Sequence, residues 1–146
     1  MERERALGRE LHVVSNLLDR RMNSIISANG AEDITPVHGI ILGYLEHRRE
    51  LGQDVYQKDI EAEFDITRST VASTLKLMEK KGYLRRVGVA HDARLKRIEL
   101  TPEGSAAHER IYVSIRQTEK LLQDTLTPAE YQTMLELLGK MKEALL

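Results

Sequence analysis

A chain of 146 residues can close one compact domain, or a small domain with helices attached, and is too short for two large independent ones. Its 41% apolar and 31% charged residues suit a soluble helical protein with a real core and exclude a disordered chain, and the absence of cysteine excludes a disulfide framework, a thiolate zinc site and a thiol redox sensor. The net charge of −1 conceals a segregation: Thr67 to Thr101 holds nine basic and three acidic residues, a net +6, so the remainder carries −7. Phosphates attract such a block, while acidic flanks discourage indiscriminate adhesion.

The opening Met1-Glu-Arg-Glu-Arg lacks a signal-peptide core, and the longest apolar run, near Gly39 to Leu45, is too short to span a bilayer. The expectation is a cytoplasmic protein with no membrane partner. A first helix is expected from about Glu4 to Ala28, with Leu7, Leu11, Val14, Leu18, Met22 and Ile25 on one stripe and Val13, Leu17 and Ile26 beside it. Asn29-Gly30 ends it.

All three prolines follow a threonine, at Thr35-Pro36, Thr101-Pro102 and Thr127-Pro128. The threonine can cap free N–H groups while proline sits where no N–H is needed, so each pair announces a helix. The second helix should place Val37, Ile40, Ile41, Tyr44 and Leu45 in the core. After a polar loop near Leu51 to Asp54, Gln57 to Phe64 forms a short helix offering Ile60 and Phe64 inward. The two residues Asp65 and Ile66 then connect to a helix starting near Thr67, which is helix-turn-helix proportion.

That helix turns Val71, Leu75 and Met78 inward and stops at Lys81-Gly82. Next the period becomes two. Tyr83 to Val87 and Lys96 to Leu100 read as strands, joined by a loop holding Gly88, His91, Asp92 and Arg94. Two strands with a basic loop, directly after a recognition helix, make a wing. The last two helices, Pro102 to Thr125 and Pro128 to Leu146, carry Ile111, Ile115 and Leu122, then Met134, Leu135, Leu138, Met141 and Leu145. A winged helix of about 65–70 residues closes without the first and last helices. Their apolar faces therefore require another partner, most economically a second subunit in an isologous dimer.

The fold class expected is mainly α with a small β-hairpin wing: a winged helix-turn-helix over 36–101, within a single unit of 1–146, with dimerisation helices at 1–30 and 102–146. The DNA-contacting set is Thr67, Arg68, Ser69, Thr70, Ser73, Thr74 and Lys76 on the recognition helix, with Asp92, Arg94, Lys96 and Arg97 in the wing. Arginine suits guanine O6 and N7, and hydroxyls suit phosphates or either base. Arg94, long and always charged at a hairpin tip, suits a narrow minor groove, with Asp92 holding the arginine by a charge-assisted hydrogen bond. Arg85 and Arg86 are generic phosphate or wing-support candidates.

Several strings closely resemble MarR-type regulators: Asp59-Ile60 through Phe64, Ile66-Thr67-Arg68-Ser69-Thr70-Val71, and Leu77-Met78-Glu79-Lys80-Lys81-Gly82-Tyr83-Leu84. Most specific is Asp92-Ala93-Arg94-Leu95-Lys96-Arg97 followed by Leu100-Thr101-Pro102-Glu103-Gly104. Tyr56 departs from the small hydroxyl residue the family often has before the turn, leaving the start of that helix open. The resemblance implies a homodimer, usually a repressor, that binds palindromic double-stranded DNA with recognition helices in successive major grooves and wing arginines in the minor groove. It also implies a small-molecule effector between the dimer helices and the winged domain, for which His12, His38, Tyr44, His108 and Tyr112 are the candidates. No resident cofactor is expected. A zinc-responsive regulator using His38 and His108 is an alternative, without a His-x-x-x-His or cysteine pair to support it. A winged helix that binds protein instead of DNA is another. With no Gly-rich phosphate loop and no Gly-x-Ser-x-Gly elbow, the chain offers no catalytic residues and is not expected to be an enzyme.

Overall fold

The computed structural model describes residues 5–31 and 33–146. Its elements run α1 (Leu7–Ala28), α2 (Pro36–Glu50), α3 (Gln57–Phe64), α4 (Arg68–Lys80), β1 (Leu84–Val89), β2 (Asp92–Leu100), α5 (Pro102–Thr125) and α6 (Pro128–Leu145). The expected helix start at Glu4 lies outside the described residues.

Each Thr-Pro pair caps its helix as the sequence predicts. The side chains of Thr35, Thr101 and Thr127 accept the N–H groups of His38, Gly104 and Glu130 at 3.2, 3.0 and 3.2 Å. At α6 the Glu130 carboxylate reaches back to the Thr127 N–H at 2.9 Å, completing a capping box, and those bonds hold its carboxyl below the ordinary range. Gly30 follows the Asn29 cap of α1 with φ +71°, and Gly82 follows α4 with φ +80°, both in the left-handed region where glycine carries no Cβ penalty.

One core joins α2, α3, α4, the hairpin and the middle of α5 through Ile41, Leu42, Ile60, Leu75, Met78 and Ile111, all fully buried. The second helix is rotated relative to its expected face. Ile41 and Leu45 are buried as predicted and Tyr44 packs at the core's edge, but Val37 and Ile40 are 45% and 42% exposed while His38, Gly39 and Leu42 turn inward. The reason is the crossing with α5: a Cβ on Gly39 would lie 2.7 Å from Ile111 Cδ1, so glycine marks the line where the two helices meet.

The hairpin is longer than the sequence suggests. β1 and β2 pair antiparallel, with Leu84 opposite Leu100 and Val89 opposite Asp92, and an irregularity between Gly88 and Val89. The second strand thus begins at Asp92 instead of Lys96, and Asp92 and Arg94 stand on a strand next to the Ala90–His91 turn instead of in a loop. Between α2 and α3, the Val55 carbonyl accepts the Ile98 N–H at 2.8 Å and ties the hairpin back to the helical body.

The long helix α5 packs against α1 and α2, whereas α6 has no buried residue. Leu7, Val14 and Leu17 on α1, Val113 and Leu121 on α5, and Met134 and Leu135 on α6 are all exposed. Among the described residues nothing covers these apolar faces.

Candidate nucleic-acid interface

The turn between α3 and α4 is made by Asp65, whose φ of +48° lies in the left-handed region that a short polar side chain tolerates best after glycine. Helix α3 begins at Gln57. Tyr56, the residue that left this start open, occupies the cap position without a capping side chain, and the Asp59 carboxylate instead accepts the Tyr56 N–H at 2.9 Å. The Gln57 amide donates to the Arg68 carbonyl at 3.4 Å and fastens the start of α3 to the start of α4. Thr67 caps α4 by accepting the Thr70 N–H at 3.4 Å. Ser69, Thr70, Ser73 and Lys76 are exposed along α4, Arg68 is exposed at its start, and Thr74 is half-buried.

Between α3, α4 and the hairpin lies an open cleft of 450 Å³. Lys58, Arg68, Arg86, Arg94 and Lys96 line it, against the single carboxylate of Glu61. Five cations converge from α3, α4 and both strands, the strand alternation sending Arg94 and Lys96 to one side of β2. Lys58 was not among the sequence-predicted contacts. Its signal was available: it stands in the first turn of the helix before the turn, exposed, two residues from the inward Ile60.

Arg97 goes the other way. It lines a second cleft with Asp54 and Glu99, donating to Glu99 at 2.6 and 2.9 Å. Arg85 donates to the same carboxylate at 3.1 Å. The Arg97 hydrogen bond, seconded by that of Arg85, holds the Glu99 carboxyl below its ordinary range, and Glu99 in turn raises the Arg97 guanidinium. The structure does not bring Arg97 to the cationic cleft. Arg86 pairs with Glu79 of α4 at 3.2 Å, outside good hydrogen-bond alignment.

The Asp92 carboxylate does not hold the Arg94 guanidinium, as had been expected. Its Oδ1 accepts the Arg94 backbone N–H at 2.9 Å. A side chain two residues back satisfying a backbone donor stiffens the end of the hairpin and leaves the guanidinium free of Asp92.

The effector candidates separate. His108 and Tyr112 lie together, with ring centroids 5.4 Å apart, along a 680 Å³ cleft between α2 and α5 that Gly39, Ile40, Gly43 and Ile115 also line. A Cβ on Gly43 would make only ordinary contact with the ring, 3.7 Å from His108 Nε2. Tyr44 instead meets Phe64 edge-on at 5.6 Å, under the Arg48 guanidinium. His38 is buried with its Nδ1 unpartnered, and burial, with the Lys81 charge beside it, lowers its pKa below 6.5. His12 is exposed on α1. Among the described residues no three His, Asp or Glu side chains are placed to hold a metal ion.

Helix-turn-helix and hairpin together define a winged helix-turn-helix protein. Residues 32–95 match the MarR family model. The chain is similar to MepR of S. aureus, solved as a DNA complex, with 27% identity over 97% of this chain and 99% of that one and a TM-score of 0.85. It is also similar to the transcription regulator MarR from Oenococcus oeni PSU-1, at 28% identity, 94% and 99% coverage and a TM-score of 0.77. A mutant of MarR from E. coli, solved with operator DNA, shares the fold at 24% identity, 92% of each chain and a TM-score of 0.77. The family match covers the winged part of the chain, residues 32–95, and over the whole chain the likeness to these regulators is one of fold.

Proposed function

We propose that this chain is a transcription regulator that binds double-stranded DNA as a homodimer, and that it represses from a two-fold-symmetric operator until a small molecule releases it. The cationic cleft carries the reading: five positive side chains from α3, α4 and the hairpin meet beside the unburied face of a capped helix. Phosphate contacts from Lys58, Arg86 and Lys96 would set the register, Arg68 would meet base edges from the start of α4, and Arg94 would reach the flanking minor groove. A binding role, with no catalysis and no resident cofactor, is part of the proposal, as is a cytoplasmic location. No described helix is long and apolar enough to cross a membrane.

The uncovered apolar faces of α1, α5 and α6 support the dimer. A monomer would leave them in water, and isologous pairing covers all three with one operation. For release, the α2–α5 cleft is the favoured effector site, because it adjoins both the reading head and the helix that supports the dimer surface. A ligand that binds better when the two heads are wrongly spaced weakens DNA binding, and DNA weakens ligand binding by the same factor.

The test is a fluorescence anisotropy titration of duplex DNA from upstream of the chain's own coding region, against random duplex, at several salt concentrations, with light scattering on the free protein. Tighter binding to the upstream duplex, steep weakening with salt and a dimeric mass are expected. Equal affinity for both duplexes would refute an operator there, and a salt-insensitive affinity would refute phosphate recognition. A thermal-shift screen of a diverse small-molecule library then tests the cleft: a stabilising hit should be lost in His108→Ala.

A further inference from the structure

We propose that the middle of α4 reads exocyclic amino groups in the major groove, adenine N6 or cytosine N4, through Ser73 and Thr74 acting as hydrogen-bond acceptors. The proposal deepens the DNA-binding reading and rests on it.

The argument begins with where two protons are. Ser73 Oγ lies 3.0 Å and Thr74 Oγ1 lies 2.8 Å from the same atom, the Thr70 carbonyl oxygen. A carbonyl carries no proton, so each contact requires the hydroxyl proton to lie between the two oxygens. With its proton turned back against the helix, each hydroxyl presents lone pairs outward. The neighbouring pair is different: Thr67 and Thr70 hydroxyls lie 2.9 Å apart, either can donate, and no polarity is fixed there.

The major-groove edge offers donors only at adenine N6 and cytosine N4, while guanine O6 and N7, adenine N7 and thymine O4 are acceptors. To meet an acceptor, Ser73 or Thr74 would have to give up its intrahelical bond. To meet an amino group it gives up nothing. At 100° per residue, Ser73 points directly away from the inward stripe of Val71, Leu75 and Met78, and it is exposed. Thr74 is half-buried at the edge of that face and adds a methyl group, which favours an A·T pair, where the adenine amino group and the thymine methyl lie side by side.

Arg68 has the opposite polarity, with donors only. Ser73 lies five residues further on, about 7.5 Å along the axis and turned about 140° around it. The helix thus carries a donor fork followed by acceptors.

The experiment selects binding sites from a random duplex pool with the full chain, then edits the selected duplex one atom group at a time. Purine replaces adenine and 2-pyrimidinone replaces cytosine, each deleting an amino group, and 7-deazaguanine deletes an acceptor. Binding is measured for wild type, Ser73→Ala and Thr74→Val, the first a better helix former and the second isosteric, with circular dichroism confirming the fold. At one position per half-site, amino deletion should weaken wild type about tenfold and the variants less than about threefold. If the positions sensitive to Ser73→Ala are acceptor edges, or if amino deletion weakens variants and wild type alike, the proposal fails and DNA binding stands. Salt-sensitive binding without sequence enrichment has the same consequence. No binding to any duplex overturns both.

Discussion

Gly104 sits where the fold leaves no space. A Cβ there would lie 1.9 Å from the Tyr83 carbonyl oxygen and 2.9 Å from Leu100 Cδ2. That carbonyl also accepts the Thr101 N–H at 3.1 Å, while the Thr101 hydroxyl donates to the Gly82 carbonyl. The start of α5 is thereby pinned to the end of α4 and the first residues of the hairpin. Gly104→Ala must push these apart and should cost about 3 kcal/mol, read as a lowered urea midpoint at unchanged slope. An unchanged midpoint would mean that the α5 start can move freely. His38 gives a second residue-level prediction. An imidazole kept neutral by burial binds its proton more weakly folded than unfolded, so its contribution is full above pH 6.5 and drains as pH falls toward the lower folded value. Lys81, the charge facing it, acts in the same direction. Wild type should lose stability as pH falls through 6.5, and His38→Gln should lose less. Equal loss in both would place the acid sensitivity elsewhere.

At the scale of elements, wing and recognition helix should fail differently when cut. Arg94→Ala should weaken operator binding by about 1–3 kcal/mol with little change in the preferred major-groove bases, and Arg68→Ala should in addition relax preference at one base pair. Matched-salt titrations against a panel of single-base operator variants separate the two. An Arg94→Ala protein that binds as wild type does would remove the wing from the interface. The helix starts were legible because Thr-Pro pairs act locally and need no tertiary partner. The beginning of β2 was not, because alternation shows only where one face is buried, and Asp92 and Arg94 near the hairpin tip have no core beneath them. Likewise Val37 and Ile40 look like core residues. They lost that place to His38 and Gly39 because α5 crosses α2 at Gly39, a fact carried by Ile111, far along the chain. Of the site, the cations of α4 and β2 were readable from charge alone. That Arg97 turns to Glu99, that Lys58 joins the cleft and that Asp92 serves the backbone depend on three-dimensional placement.

For the molecule as a whole, charge and apolar surface are assigned to different tasks. The basic residues concentrate between Thr67 and Thr101, where α4 and the hairpin lie, and the open apolar faces belong to α1, α5 and α6. In the proposed dimer the spacing of the two reading heads is set by helices that touch no DNA, and half-sites centred about 10 bp apart on one face of the duplex are expected. Helix α6 carries a further consequence. With no buried residue of its own, it would draw its tertiary stabilisation in the proposed dimer from the partner subunit, making folding of this part and association one event. The melting temperature should then rise with protein concentration, and diluting the sample about tenfold should lower it, most clearly in the helical signal. A melting temperature indifferent to dilution would show α6 to be stable alone. If the coupling holds, the thermal stability of this regulator is a gauge of its own abundance.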